Sequence, residues 1–344
     1  MAAPDNPKTI MSKIKMDDIA RLAGVSKSTV SRALSNSPLV NEKTKKKIRE
    51  LANQHHYILD QRARNFRLQQ SHTIGVVFPM RYERDQYISD PFFLDLLGHL
   101  ADGLTERGYD LLLSKPKLHE ASWLDNIVAA KRTDGLILIG QGAQHEIINE
   151  FAKNYNPLIV WGAKVEGQAY TVVGSDNVSG AVKATKHMID QGRRRIAFLG
   201  NNESPETSDR YKGYLRAHEE AGLKALDELF IETHMSSEEA CEAVCQALEY
   251  GLEIDGLMAA SDVLALSAIR ALKQRGLIVP DDVAVAGYDD IPFASYIDPP
   301  LTTVRQDTER AAELLLDRLF KKLEGEKSPS VVIDPELVVR TSAG

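Results

Sequence analysis

From residue 72 onward the chain repeats one pattern: a short, almost uninterrupted apolar run, then a stretch of helical length with polar and apolar residues at amphipathic spacing. The runs are "HTIGVVFP", "YDLLLS", "DGLILIG" and "PLIVWG", and then a second series, "RRIAFLG", "GLMAA" and "VAVAGYD". The first intervening helix reads "DPFFLDLLGHLADGLTERG". A strand with one face in water alternates apolar and polar residues, whereas these runs do not alternate, so both of their faces must be covered. Strands of that kind belong to parallel sheets flanked by helices, and two series imply two sheets. In such α/β layers a ligand sits beyond the carboxyl ends of the strands.

Charge separates this body from what precedes it. The 344 residues carry a formal net charge of −7. Residues 1–70 nevertheless hold 14 Lys and Arg against 6 Asp and Glu, a net of +8, and the remainder carries −15. A small basic head on an acidic body points to a polyanionic partner for the head alone.

The head reads as three short helices. "MDDIARLA" places Met16, Ile19, Ala20 and Ala23 at helical spacing, with two acids in its first turn, and Gly24-Val25 ends it. Ser26 is an N-cap for a second helix through about Leu34. There Val30 and Ala33 turn inward with Val25, leaving Lys27, Ser28, Ser31 and Arg32 outside. Asn41 caps a third helix from Glu42 to about His55, with Ile48, Leu51 and Ala52 as its apolar face and the lysines at 45–47 expected in solvent. Two short helices joined by a tight turn and braced by a third form a helix-turn-helix unit, whose second helix enters the major groove of DNA.

The stretch "MDDIARLAGVSKSTVSRALSNSPLVNEKTKKKIRELANQHHY" resembles the head of the LacI/GalR (lactose-repressor) family of bacterial transcription regulators. The resemblance extends over the body, which is similar to that family's periplasmic-binding-protein-like core, and so covers nearly the whole chain. It implies an α/β protein with a helix-turn-helix DNA-binding domain at 16–57 behind a flexible tail at 1–15. A hinge at 58–71 and an effector-binding and dimerisation domain of two parallel-sheet subdomains at 72–344 complete it. The chain should pass between the subdomains three times, near Gln191, Gln306 and Ser330. In the head, the resemblance puts Lys27, Ser28 and Arg32 at base edges and Ser26, Thr29 and Ser31 at phosphates. Arg32 suits bidentate pairing with guanine. Lys15 stands where many members carry Thr.

The segment "ILDQRARNFRLQQ" is too short and charged to be a stable helix alone. In the family it folds on DNA and wedges an apolar side chain, usually Leu, into the minor groove. Phe66 holds the matching position, and a phenyl ring can unstack a base step. Arg62, Arg64 and Arg67 suit phosphates or a narrowed groove.

Strand ends supply the candidate effector residues. Asp289 lies in "GYDDI", Arg210 in "DRYKGY" and Asp176 in "GSDNVSG", all at positions where family members bind effector or line its cleft. Ser261-Asp262 follows "GLMAA", where many members have Asn-Asp. Trp161 ends a strand and can stack on a sugar ring, and Phe92 and Phe93 open the first body helix beside the same cleft. Aromatics, acids and one arginine suit a sugar such as a glucoside or oligosaccharide. A purine is the alternative within the family, against which Ser204 stands where the purine-responsive relative has Arg.

Other classes find little support. "LIGQGAQ" lacks the third glycine of a dinucleotide-binding turn, and the sequence shows no phosphate-binding loop, nucleophile elbow or metal-ligand run. A sugar-binding transport protein would share the body but needs an export signal and no basic head. Cys241 and Cys245 lack the partners a zinc ion needs and read as small apolar side chains in a reducing cytoplasm. No run approaches the ~18 apolar residues of a membrane span. The C-terminal "VVRTSAG" carries no leucine heptads, so a homodimer on double-stranded operator DNA is expected, with no cofactor.

Overall fold

The computed structural model describes residues 14–57, 70–79, 87–116, 118 and 122–344. The tail and most of the hinge, including Arg62, Arg64, Phe66 and Arg67, lie outside the described residues. The chain divides into two compact units, Met1–Gln70 and Ser71–Gly344.

In the first unit the three helices are α1 (Met16–Ala23), α2 (Lys27–Leu34) and α3 (Glu42–Gln54). Their core is Ile19, Ala20, Ala23, Val30, Ala33, Val40 and Ile48. Gly24 closes α1 in the left-handed conformation, φ +73°, which glycine adopts without a steric penalty. The α1 start lacks a capping hydroxyl, and Asp18 instead accepts the Lys15 backbone N–H at 3.0 Å. The Ser26 hydroxyl accepts from Thr29 N at 3.2 Å and Asn41 from Thr44 N at 2.8 Å. One expectation fails here. Lys45 is buried rather than solvated, its stem against the core and its ammonium 2.7 Å from Glu42. Lys47 is also engaged, donating to the Ala23 carbonyl at 3.0 Å.

The second unit holds two six-stranded sheets. The first comprises β1 (Thr73–Val77), β2 (Asp110–Ser114), β3 (Gly135–Ile139), β4 (Leu158–Trp161), β5 (Thr171–Ser175) and β11 (Val331–Ile333). Its order is β11-β5-β4-β3-β1-β2, parallel throughout. The second comprises β6 (Ile196–Gly200), β7 (Phe230–Glu232), β8 (Gly256–Ala259), β9 (Ala284–Asp289), β10 (Thr302–Arg305) and β12 (Glu336–Val338). Its order is β12-β10-β9-β8-β6-β7, with only β12 antiparallel. The central strands are wholly buried, as their uninterrupted apolar runs require.

Eight α-helices are described in this unit. They are α4 (Pro91–Glu106), α5 (Trp123–Ala129), α6 (His145–Ala152) and α7 (Asn177–Asp190), then α8 (Pro205–Glu220), α9 (Ser237–Glu249), α10 (Asp262–Gln274) and α11 (Thr308–Leu323). Among the described residues no helix is long and apolar enough to cross a membrane.

The chain passes between the sheets after β5, after β10 and between β11 and β12. The middle passage falls at Gln306. The other two differ from expectation for a packing reason. Helix α7 packs on α8 and on strands of the second sheet, so the first passage precedes it at Asp176 rather than following it at Gln191. Residues 331–333 still extend the first sheet beside β5, which moves the last passage from Ser330 to Asp334-Pro335. Helix α7 approaches α8 closely because Gly213 offers no side chain: a Cβ there would run into the Val178 carbonyl and sit 2.8 Å from Ala181.

Candidate functional site

Two surfaces carry chemistry, one in each unit. On the head, Ser26, Lys27, Ser28 and Arg32 are exposed, and Thr29 and Ser31 half-buried. The Ser26 hydroxyl lies 2.8 Å from Ser28 Oγ and 2.9 Å from Thr29 Oγ1, so the start of α2 presents a cluster of small donors and acceptors. Lys27 is paired with Asp17 at 2.6 Å, both side chains more than half exposed. An exposed pair of this kind is weak, so it does not tie Lys27 down.

In the body, a cleft of about 1090 Å³, counting its open mouth, lies where the carboxyl ends of both sheets' strands meet. Pro79 follows β1, Gly140 follows β3, Trp161 ends β4, Asn201 follows β6 and Asp289 ends β9. In each sheet one strand has a neighbour on either side that connects in opposite directions: β1 between β2 and β3, and β6 between β7 and β8. Such switch points leave a crevice for ligands.

One wall is aromatic. Phe92 and Phe93 stand in the first turn of α4, which Asp90 caps by accepting from Phe92 N at 3.0 Å. Phe92 lies 5.5 Å from Phe93 and 6.0 Å from Trp161 between ring centroids. All three side chains border the cleft.

The facing wall is polar and charged. Arg210, 6 % exposed, lies in the second turn of α8 rather than at a strand junction. Its Nε donates to Asn177 Oδ1 at 2.9 Å and its Nη1 to the Ala260 carbonyl at 2.5 Å. Its guanidinium lies 3.9 Å from the centroid of the Tyr288 ring. Asp289 is 4 % exposed, 3.7 Å from Arg210, and accepts from Gln306 Nε2 at 2.7 Å. Burial pushes its carboxyl well above the usual carboxylate range, with Arg210 pulling the other way. Its backbone has φ +128°, outside the comfortable region for a side-chain-bearing residue. Strain of this kind costs of order 1–3 kcal/mol and persists only where the surroundings fix it.

The structure thus brings Phe92, Phe93, Trp161, Arg210 and Asp289 to one cavity. Asp176, Ser261 and Asp262 do not line it and are engaged in holding the fold. Asp176 caps α7 through Ser179 N at 2.9 Å, and Ser261 caps α10 through Leu264 N at 3.3 Å. Asp262 is fully buried, accepting from Thr303 Oγ1 at 2.5 Å and from Ile291 N at 2.8 Å. The polar groups that do reach the cleft include Asn177, Asn201, Glu206, Thr207 and Gln306, none of them anticipated. Asn177 and Gln306 stand at the first two passages between the sheets. The rule that ligands meet strand ends identifies both once β5 and β10 are recognised.

Family models match both units: "Bacterial regulatory proteins, lacI family" over residues 15–60 and "Periplasmic binding protein-like domain" over residues 185–343. The chain is 31% identical to the ribose operon repressor of Escherichia coli (strain K12), over 90% of this chain and 92% of that protein. It belongs to the LacI family of bacterial regulatory proteins. A second relative, the HTH-type transcriptional repressor PurR of Photobacterium profundum, is 29% identical over 96% of this chain and 98% of its own. Among solved structures, a complex of the transcriptional regulator CelR with cellobiose matches with a TM-score of 0.71 and 26% identity, covering 96% of this chain and 99% of that one. This LacI-family chain is a DNA-binding transcription regulator and not an enzyme.

The environment of Asp262 generates a prediction. Complete burial raises its carboxyl to about 7, against the lowering effect of its bonds from Thr303 and Ile291. The folded state therefore holds a proton that the unfolded state releases near pH 4, so this group's contribution is full below pH 4 and is lost as pH rises to about 7. Asp262→Asn removes that titration, with its amide placed to donate to Thr303. Thermal melts should show the variant gaining on the parent steadily from pH 4 to 7, with no further gain above. A constant difference across that range refutes the assignment.

Proposed function

We propose that the regulator binds operator DNA as a homodimer in the cytoplasm and that a sugar in the body cleft controls its affinity for DNA. The carrying observation is the cleft itself: aromatic rings on one wall facing the buried Arg210–Asp289 pair, held by Asn177, Ala260 and Gln306, on the other. Sugar rings present apolar C–H faces and a rim of hydroxyls, so they match a site with one stacking wall and one hydrogen-bonding wall. The CelR–cellobiose complex supports the sugar reading. A purine is the competing effector, favoured by the PurR relative. Ser204 speaks against it: the side chain is small, uncharged and engaged in capping α8, accepting from Thr207 N at 3.2 Å.

On the DNA side, α2 is the recognition helix. Lys27, Ser28 and Arg32 read base edges from the major groove, while Ser26, Thr29 and Ser31 bind phosphates and fix the register. Residues 58–71 act as the hinge, with Phe66 as the groove wedge and Arg64 at phosphates or a narrowed groove. Each head reads one half-site of a near-palindrome. Effector in the cleft changes how the two sheets pack and hence whether the paired hinges fold on DNA. Operator and effector are then linked ligands.

These roles make base readers and phosphate binders separable by mutation. Arg32→Ala should weaken binding to the operator by about 1–3 kcal/mol more than binding to random duplex, because only specific binding uses the base edge. Thr29→Ala should weaken both alike. Titrations of both duplexes at one salt concentration decide the matter, and equal losses for Arg32→Ala remove it from base readout. In the cleft, Asp289→Ala and Arg210→Ala each strand buried polar groups of the ligand, so effector affinity should fall roughly tenfold or more. Calorimetry with an effector found by thermal-shift screening reads this directly. Unchanged affinity in both variants moves the effector site elsewhere.

A further inference from the structure

Glu206 faces the cleft from the first turn of α8, on the second-sheet wall, yet its carboxyl reaches the opposite wall. A Cβ built on Gly162, the residue after Trp161, would lie 3.0 Å from Glu206 Oε1 and would run into Gln141 Oε1. Glycine at 162 thus leaves room first for the Gln141 amide and, at the limit of contact, for this carboxyl beside the tryptophan. Glu206 Oε1 is buried and has no hydrogen-bond partner among the described residues. A buried acceptor without a donor is costly, and such groups in a cavity call for a partner that the ligand supplies. Arg210, the cation lining this cleft among the described residues, does not fill that role. Two of its nitrogens serve Asn177 and Ala260, and its face lies on Tyr288.

We propose that Glu206 is the specificity-determining residue of the cleft and selects an uncharged sugar. A hydroxyl of the ring stacked on Trp161 donates to Glu206 Oε1. An acidic group at that ring position, a uronate carboxylate or a phosphate ester, takes away the hydroxyl donor and sets acceptor oxygens against Glu206 Oε1. It also meets an Arg210 of which two of the three nitrogens are already taken by Asn177 and the Ala260 carbonyl. The charge preference rests on the reading of the cleft as a sugar site and narrows it to one chemical class.

The test uses the full chain and matched sets of probes: glucose, galactose and cellobiose, each beside its uronic acid and its 6-phosphate, together with ribose and its 5-phosphate, and hypoxanthine and guanine as the nucleobase arm. Thermal shift ranks them and calorimetry measures those that bind. In the parent chain every acidic form should bind at least tenfold more weakly than its neutral counterpart. In Glu206→Gln, whose amide can donate to an anion, that gap should close to within about threefold for the same scaffold. An acidic form that binds the parent as tightly as its neutral counterpart overturns the charge preference while leaving the sugar site intact. A gap that persists unchanged in Glu206→Gln assigns the selection to another residue and equally refutes the proposal. Response to a nucleobase and to no sugar overturns the sugar reading itself, and this inference with it.

Discussion

Arg210 is held in the body by contacts that leave little freedom to its position. A guanidinium that is 6 % exposed cannot remain without partners, because desolvating a charge costs several kcal/mol unless it is paired and hydrogen-bonded. Here the four partners come from three elements: Asn177 at the start of α7, the Ala260 carbonyl after β8, and, in β9, the Tyr288 ring and the terminal Asp289. Satisfying one charge therefore ties together the strand ends on which one wall of the cleft is built. Asp289 is held in turn by Gln306, which stands where the chain leaves the second sheet for the first. The polar unit thus touches two of the three passages between the sheets, the first through Asn177 and the middle one through Gln306. That placement ties the Arg210–Asp289 unit to segments that join the two sheets.

Much of the fold was legible because burial on both faces leaves a plain mark in sequence. The runs at β1, β3, β4, β6, β8 and β9 contain almost nothing but aliphatic residues, and each became a strand. The segments at β5, β7, β10, β11 and β12 are short or carry Thr, Ser, Arg or Glu. In β10, Thr302 and Thr303 are fully buried because Ser342 and Asp262 satisfy them from distant parts of the chain. No local pattern announces such a partner. Lys45 is a similar case: three consecutive lysines look solvated until the third helix is docked and one stem falls on the core.

The candidate site divides along the same line. Trp161 and Asp289 at strand ends, Phe92 and Phe93 at a helix start and Arg210 within a helix meet in one cavity. Asp176, Ser261 and Asp262 occupy the same kind of junction but turn to the backbone. A carboxylate or hydroxyl after a strand can cap the next helix or face the cleft, and only the path of the chain decides which. Glu206 escaped notice because it follows Pro205 in the first turn of a helix, where acids are common for dipole reasons alone. Its distinguishing features, a buried oxygen and the space left by Gly162, exist only in three dimensions.

The proposed coupling joins a cleft in the body of one chain to a recognition helix in its head. Coupling of that kind is reciprocal: if effector changes operator affinity by some factor, operator must change effector affinity by the same factor. The direct measurement is a pair of titrations under one set of salt and pH conditions, operator binding with and without saturating effector, and effector binding with and without saturating operator. Two factors that agree and differ from one are expected, and in Asp289→Ala the effector concentration needed for the parent's operator response should rise roughly tenfold or more. Factors of one in the parent chain, with both ligands shown to bind, would contradict the coupling.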